Sequence, residues 1–177
     1  MKVNGKYLAY ILRHNPSAAG LTLDERGYAD VAGLIEGISK TGRCIDLAVL
    51  EEIVASDNKQ RFAFNDDHTK IRANQGHSIN VDVEMQELTP PPVLYHGTAE
   101  KYLDSIKELG LQKRSRNYVH LSADYDTAVK VGARHGKAVV LKIDAEKMYN
   151  DGYKFLLSAN GVWQTDYVPY RYVTEIV

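Results

Sequence analysis

Pairs of arginine and histidine stand where predicted elements begin or end. Arg13 and His14 follow an apolar helical stripe and precede Pro16. Arginine can hold a phosphate through two parallel hydrogen bonds, and a neighbouring histidine adds a donor, so this pair is a candidate anion site. The helix dipole alone also favours cations at a helix C-terminus, by roughly 0.3–1 kcal/mol. The spacing does not separate these two interpretations.

Two further basic clusters are candidate phosphate contacts. Lys59 and Arg61 begin a predicted hairpin, where they could contact a phosphate or pair with nearby acids. Arg114 and Arg116 lie in a predicted loop just before a strand that carries more candidate residues. The segment 71–78 could contact a ribose or a phosphate, or could form an ordinary polar loop. Its hydrogen-bonding side chains include Gln75, His77 and Ser78.

Two segments in the second half of the chain each place a histidine and a hydroxyl side chain at the end of a predicted strand. Residues 95–98, Tyr-His-Gly-Thr, are predicted to join a strand to a helix. There Gly97 would let a ligand approach the backbone, and the helix N-terminus would attract a phosphate. Residues 118–122 place His120 and Ser122 on one face of a predicted strand. The two strand ends could line one cleft, although His120 alone is equally consistent with a buried core histidine.

Several common catalytic motifs are absent from the sequence. The six histidines show no metal-ligand spacing, and the zinc-protease, serine-hydrolase, P-loop and dinucleotide-fingerprint patterns do not occur. The single cysteine, Cys44, cannot form an internal disulfide or a cysteine-based metal site. We therefore expect no metal centre.

The composition is that of an ordinary globular protein, with 177 residues, 44% of them hydrophobic and 25% charged. The sequence contains neither a long apolar run nor an apolar signal core, so we expect a cytoplasmic protein without a membrane span. Nothing in the sequence indicates an obligate protein partner. The formal net charge of −1 argues against nucleic-acid binding through a general basic field. Contacts with RNA would have to come from a few placed arginines.

The chain is predicted to divide at a proline-rich segment. Residues 83–92 end in three consecutive prolines, which favour extended geometry, and we predict a linker there between lobes at 1–82 and 93–177. The first lobe has three helical stripes and a closing hairpin, which is the layout of a winged-helix module. Before its second helix, residues 21–29 are predicted to form two short strands around a turn. The second lobe alternates strands and helices and then becomes largely β, so the predicted fold class is α+β.

Taken together, these segments resemble the RNA 2′-phosphotransferase family, also known as tRNA 2′-phosphotransferases, over nearly the whole chain. The resemblance implies an N-terminal winged-helix lobe that binds RNA and a C-terminal ADP-ribosyltransferase-like lobe that binds NAD. It also implies a function in tRNA splicing. Any single motif would be weak, but eight occur in family order, at 12–16, 23–30, 59–62, 71–78, 94–98, 118–122, 131–136 and 160–163.

The resemblance further implies a reaction in which NAD is a co-substrate. An internal RNA 2′-phosphate attacks the ribose carbon that bears nicotinamide, which gives an ADP-ribosylated RNA. The ribose 2″-hydroxyl then attacks that phosphate, and 2′-hydroxyl RNA and ADP-ribose 1″,2″-cyclic phosphate are released. The implied catalytic residues are Arg13, His14, Arg61 and Arg116, with Lys59 as an accessory cation. The implied NAD-binding residues are His96, Gly97, Thr98, His120, Leu121 and Ser122.

Two positions, Asn117 and Gln164, depart from the family pattern without removing any of these residues. Two other functions also remain open. An ADP-ribosyltransferase acting on a phosphorylated nucleic-acid end, or an NAD glycohydrolase, would use the same NAD lobe. No obvious carboxylate lies beside the predicted cleft, where Glu175 is the nearest candidate, and this favours a substrate that arrives already charged. A winged-helix regulator would need a basic recognition helix, whereas the predicted third helix carries Glu51 and Glu52.

Overall fold

The computed structural model describes residues 2–177 of the chain. The chain forms two compact units that meet in sequence between Glu84 and Met85. Both units mix helices with small, mainly antiparallel sheets, as the predicted α+β class requires. No helix within residues 2–177 combines the length and the apolar character that crossing a membrane requires.

The first unit contains three helices, each of which begins at a side-chain cap. They are α1 (Gly5–Arg13), α2 (Val31–Lys40) and α3 (Leu47–Ala55). Asparagine or aspartate at an N-cap accepts a hydrogen bond from a backbone N–H that the helix itself leaves unpaired. The distances from N–H to cap oxygen are 3.0 Å for Asn4, 2.7 Å for Asp30 and 2.8 Å for Asp46.

Three short strands form the sheet of the first unit, in the order β1-β3-β2. They are β1 (Tyr28–Asp30), β2 (Phe62–Phe64) and β3 (Lys70–Ala73), and the predicted hairpin of β2 and β3 is confirmed. The predicted strand pair over 21–29 is wrong in its first arm. Leu21 and Leu23 pack against the hydrophobic core, and β1 pairs with β3 instead.

The core of the first unit lies between the helices and this sheet. A helix buries apolar residues at a spacing of three or four, which brings Leu8, Ile11 and Leu12 of α1 to one inward face. Side chains with no exposed surface come from all three helices and from β3: Leu8, Ile11, Leu12, Leu34, Ile38, Leu50 and Ile71.

The second unit contains a four-stranded, a three-stranded and a two-stranded sheet. The four-stranded sheet has the order β4-β9-β10-β7, with β4 at Gln86–Glu87, β7 at Val119–Leu121, β9 at Leu156–Leu157 and β10 at Trp163–Thr165. The three-stranded sheet has the order β12-β8-β5, with β5 at Val93–Ala99, β8 at Ala138–Asp144 and β12 at Val173–Ile176. The small sheet pairs β6 (Leu111–Gln112) with β11 (Tyr167–Val168).

Three helices complete the second unit: α4 (Leu103–Leu109), α5 (Tyr125–Gly132) and α6 (Ala145–Asn150). Within the predicted linker 83–92, β4 pairs with β9, and the Leu88 N–H donates to the Phe155 carbonyl over 3.1 Å. Residues 85–92 therefore belong to the second unit, and residues 86–88 have paired backbone.

Strand β5 differs from its prediction in a way that bears on the candidate site. The sequence predicts a strand that ends at His96 and a helix from Ala99, whereas β5 runs through to Ala99. A 3₁₀ helix over Glu100–Tyr102 follows directly and leads into α4, so the predicted helix is present and the strand is longer than predicted. Gly97 therefore pairs with Val140 inside the sheet rather than standing at a strand-to-helix turn. In a sequence, a glycine often indicates a turn. Here Gly97 instead allows the backbone of α5 to pack closely against the backbone of β5.

Candidate functional site

Arg13 and His14 lie together at the C-terminal end of α1, as predicted. Arg13 is buried, with 8% of its surface exposed. The loop after β3 packs directly on it, because the Ser78 N–H donates to the Arg13 carbonyl over 3.1 Å. At Gly76, where φ is +87°, a Cβ would lie only 3.3 Å from the guanidinium carbon of Arg13. This approach holds the arginine in one orientation, which is what binding a phosphate in a fixed direction requires.

His14 is exposed, and Ser78 holds its ring. The distance from His14 Nδ1 to Ser78 Oγ is 2.9 Å. One of these two atoms donates a proton to the other, so the hydroxyl fixes the orientation of the imidazole. The polar segment 71–78 thus contributes to the candidate anion site by supporting Arg13 and His14.

Arg61 is held by an acid four residues earlier in the chain. Its Nε lies 3.1 Å and its Nη2 lies 2.9 Å from Oδ1 of Asp57. Burial by itself would raise the pKa of the Asp57 carboxyl, but hydrogen bonds from the side chain and backbone of Arg61 outweigh it, and the pKa is lowered. The side chain of Asp57 is only 5% exposed, against 32% for Arg61. Local pairing, the alternative interpretation of this cluster, is therefore present.

The guanidinium of Arg61 lies near the opposite end of α1 from Arg13. A Cβ placed on Gly5, the first residue of the helix, would be 3.6 Å from Arg61 Nη2. A helix of this length rises about 12 Å from Gly5 to Arg13. The structure therefore brings Arg13 and His14 together and places the Arg61 guanidinium in a second group with Asp57 and Gly5.

His77, in the loop that packs on Arg13, is buried, with 2% of its surface exposed. Among residues 2–177, no hydrogen-bond partner is found for its Nε2. Burial, together with the charges of Arg13, His14 and Arg72, lowers the pKa of His77 from 6.5 to about 4. The His77 ring is therefore neutral at pH 7 and buried near Arg13, so it adds no positive charge to the candidate anion site.

This burial predicts a specific pH dependence of stability. An unfolded histidine titrates near pH 6.5, whereas folded His77 titrates at about 4, so unfolding takes up a proton between these values. The free energy of unfolding should therefore fall as the pH is lowered, and His77 should account for about 2 kcal/mol of the fall between pH 7 and pH 5. Urea unfolding of wild type and of His77→Gln at both pH values measures this. Equal losses in the two proteins would contradict the assignment.

In the second unit, His96 and His120 lie on neighbouring segments. Tyr95 and Ser122 exchange two backbone hydrogen bonds, of 2.8 and 2.7 Å, which join β5 to the end of β7. The His96 ring reaches across this junction, with Nδ1 2.9 Å from the His120 carbonyl oxygen. The carbonyl can only accept, so His96 carries its proton on Nδ1 and presents Nε2 as an acceptor. The sequence predicts that the two strand ends lie side by side, and His96 and His120 do so.

Arg116 joins the same cluster. Its Nη1 lies 2.8 Å from Nδ1 of His120, and since a guanidinium can only donate, that nitrogen of His120 is the acceptor. Desolvation and the charge of Arg134 lower the pKa of Arg116, although an arginine stays charged at neutral pH. Arg116, His120 and His96 therefore form one hydrogen-bonded chain, in which the two imidazoles carry their protons on different ring nitrogens.

The other predicted NAD-site residues lie beside this chain. Thr98 is 6% exposed and Leu121 is 2% exposed, and Leu121 packs in the core of the second unit. Ser122 is half-buried. On the opposite face of β5, α5 crosses so closely that a Cβ on Gly97 would lie 1.7 Å from the Ala128 carbonyl oxygen.

Two other residues singled out in the sequence have structural contacts. Gln164 is 1% exposed and donates from Nε2 to the Met85 sulfur over 3.0 Å. Glu175 forms an ion pair of 3.2 Å with Lys142 on the neighbouring strand, which agrees with a surface role. Within the described residues, 2–177, no group of three or more His, Cys, Asp or Glu side chains could hold a metal ion.

Comparison with known proteins links this arrangement to one family. The family model of the RNA 2′-phosphotransferase, Tpt1 / KptA family matches residues 2–167. The chain is 54% identical over 170 residues to a probable RNA 2′-phosphotransferase of Fusobacterium nucleatum, covering 96% of this chain and 95% of that protein. It is 49% identical over 176 residues to one of Acaryochloris marina, covering 99% and 97%. On these matches, the chain belongs to the RNA 2′-phosphotransferase, Tpt1 / KptA family.

Proposed function

We propose that this enzyme removes an internal RNA 2′-phosphate in an NAD-dependent reaction. The phosphate oxygen attacks the ribose carbon of NAD that bears nicotinamide; the C–N bond breaks, and nicotinamide leaves with the bonding electrons. The ribose 2″-hydroxyl then gives up its proton and attacks the phosphorus, and the bond to the RNA 2′-oxygen breaks. That oxygen takes up a proton, and the phosphate leaves as ADP-ribose 1″,2″-cyclic phosphate.

One observation carries this proposal: Arg116 donates to His120 over 2.8 Å, while the His120 carbonyl accepts from His96. A cation suited to a phosphate is thereby bonded to the ring of one histidine of the proposed NAD site, and the backbone of that histidine holds the ring of the other. In this assignment both imidazoles are neutral. His96 offers Nε2 as a hydrogen-bond acceptor to NAD, and His120 offers its Nε2–H as a donor. Gly97, Thr98, Leu121 and Ser122 shape the backbone around them.

The chemistry of the nucleophile fits the residues present. A phosphate monoester has its second pKa near about 6, so it is mostly dianionic at neutral pH and needs no general base. It does need cations that hold it in line and spread the charge developing in the second step. We assign Arg13, His14, Arg61 and Arg116 to that phosphate. To reach it, Arg61 must leave the Asp57 carboxylate, which it contacts near the opposite end of α1 from Arg13. His14 is assigned either a hydrogen bond to the phosphate or the proton transfer of the second step.

The proposed architecture follows from these roles. The first unit acts as a winged-helix lobe that binds RNA, and the second as an ADP-ribosyltransferase-like lobe that binds NAD. The acids of α3, Glu51 and Glu52, do not suit a recognition helix in a DNA groove, which disfavours a winged-helix regulator.

The test is incubation with NAD⁺ and an oligoribonucleotide that carries one internal 2′-phosphate. We expect loss of the phosphate and release of one nicotinamide per phosphate lost, with no loss when NAD⁺ is omitted. An otherwise identical RNA with a terminal 5′-phosphate should lose none. Removal of the 2′-phosphate at the same rate without NAD⁺ would overturn the proposal.

Ser78 provides a prediction about positioning. Because its Oγ lies 2.9 Å from His14 Nδ1, Ser78→Ala should leave the ring less well oriented. Loss of one neutral hydrogen bond corresponds to a fall of about 2- to 10-fold in kcat. Ser78→Thr keeps the hydroxyl and should restore the rate and the pH–rate profile, which repacking alone would not do. Single-turnover rates across pH measure this, and an unchanged Ser78→Ala rate would refute the role.

A further inference from the structure

We propose that the exposed face of α1 binds the RNA strand beside the 2′-phosphate, with a nucleobase stacked on the ring of Tyr10. This inference rests on the proposed function and identifies part of its substrate site. Three exposed residues of α1 and its C-cap, Lys6, Tyr10 and His14, follow one another at intervals of four. Helical residues four apart lie about 5–6 Å from each other on one face. The Tyr10 ring is thus the first large side chain beyond His14 on that face.

The ring of Tyr10 is exposed yet held in place. It has 45% of its surface exposed, although large apolar rings are usually more buried. The Asn15 amide donates to its hydroxyl over 2.7 Å. The ring of Tyr7 lies beside it, with centroids 6.4 Å apart. A ring fixed before binding loses little conformational freedom when a base stacks on it, so this surface is preorganised for a flat partner.

The charges around Tyr10 suit a phosphodiester strand. Helix α1 contains no acidic residue, and Lys6 lies one turn before Tyr10. No acidic side chain within residues 2–177 forms an ion pair with Lys6. The guanidinium of Arg43 lies 4.0 Å from the centroid of the Tyr7 ring.

An aromatic face flanked by cations is the usual design of a surface that binds single-stranded nucleic acid. Every base has a flat face, so stacking tolerates any sequence. The occupant we assign is therefore the nucleotide next to the 2′-phosphorylated one, recognised without regard to its base.

The first test measures the affinity for a labelled 2′-phosphorylated oligoribonucleotide by fluorescence anisotropy without NAD⁺. Removing one base–aromatic stack weakens binding roughly 5- to 150-fold, so Tyr10→Ala should raise Kd within that range. Tyr10→Phe keeps the ring and should bind nearly as wild type does. The matched control is Tyr149→Ala, which removes a tyrosine of similar exposure, 40%, from α6 in the other unit and should leave Kd unchanged. A wild-type Kd for Tyr10→Ala would overturn the inference.

A second arm separates stacking from a structural effect on α1. Oligonucleotides that carry an abasic site on one or the other side of the phosphorylated nucleotide remove the base instead of the ring. We expect one of them to weaken binding to wild type and to show no further loss with Tyr10→Ala. An equal loss with Tyr10→Ala on intact and both abasic RNAs would mean that the substitution disturbs the helix, and it would contradict the inference.

Failure of the inference and failure of the proposed function give different results. If wild type binds the RNA but removes no phosphate with NAD⁺, the proposed function is wrong, and the anisotropy series still decides the role of Tyr10. If wild type is active and Tyr10→Ala has an unchanged Kd and KM, only the role of Tyr10 is wrong.

Discussion

Arg116→Ala should lower the rate of RNA 2′-phosphate removal by about 10²- to 10³-fold, the usual effect of losing one donor to a charge that develops in the transition state. The side chain is already fixed by its 2.8 Å contact with His120, so little reorganisation precedes the reaction. Because a guanidinium donates two parallel hydrogen bonds and an ammonium does not, Arg116→Lys should recover only part of the rate. Single-turnover assays that follow RNA phosphate and nicotinamide report each step separately.

The matched control for this substitution is Arg114→Ala. Arg114 lies two residues earlier in the same loop, and its guanidinium lies 5.3 Å from the centroid of the Tyr102 ring. Its loss removes the same charge from the loop but no contact with His120, so the rate should stay within a few-fold of wild type. Wild-type rates for both steps with Arg116→Ala would remove this residue from the phosphate site. Equal losses in the two variants would mean that only the loop's net charge matters.

Gly97→Ala should destabilise the second unit by about 3 kcal/mol or more, at the upper end of the cost of inserting a methyl group into a packed interior. The added Cβ would lie 1.7 Å from the Ala128 carbonyl oxygen and 2.9 Å from the Gly132 backbone nitrogen. Both obstacles are backbone atoms of α5 and its end, so no side-chain rotation relieves them. Helix α5 would have to move off β5. Urea unfolding measures the change.

Gly5→Ala is the control for the glycine substitution. Its Cβ would make ordinary contacts, the nearest at 3.6 Å, and alanine is favoured over glycine in a helix by up to about 1 kcal/mol. We expect its stability to be unchanged or slightly raised. If Gly97→Ala unfolds at the wild-type urea concentration and loses only NAD binding, then Gly97 serves ligand approach rather than the packing of α5 on β5.

Helices with a regular apolar spacing and a capping residue were predictable from the sequence. Asp46 followed by Leu50 and Val54 predicts α3 because both the cap and the inward face are local properties of the chain. Leu47, which the same spacing would bury, is 45% exposed. The hairpin of β2 and β3 was predictable for the same reason, since its turn lies between its two arms.

Strands whose partners lie far away in the sequence were not predictable. Leu21 and Leu23 alternate as a strand would, but they pack half-buried against the core, and β1 pairs with β3. Strands β4, β6 and β11 have two residues each, too few to show an alternation. Gly97 resembles a turn signal because the sequence does not show that α5 lies against it.

In the candidate site too, features set by neighbouring residues were predictable, and contacts between residues distant in sequence were not. The residue types at 13 and 14 make an anion site one of two interpretations, but the contact of His14 with Ser78 joins residues 64 apart in sequence. The proton positions on His96 and His120 depend on a carbonyl and a guanidinium that only the paired strands bring into place. Asp57 could be suggested as a partner of Arg61 from its spacing alone, and that pairing is present.

The most direct test of the proposed reaction follows the phosphorus atom. An RNA whose internal 2′-phosphate is radiolabelled is incubated with the enzyme and NAD⁺, and the labelled products are separated. We expect the label to leave the RNA and to appear in ADP-ribose 1″,2″-cyclic phosphate, in an amount equal to the nicotinamide released. Label recovered as inorganic phosphate, or retained on an RNA that stays ADP-ribosylated, would contradict it.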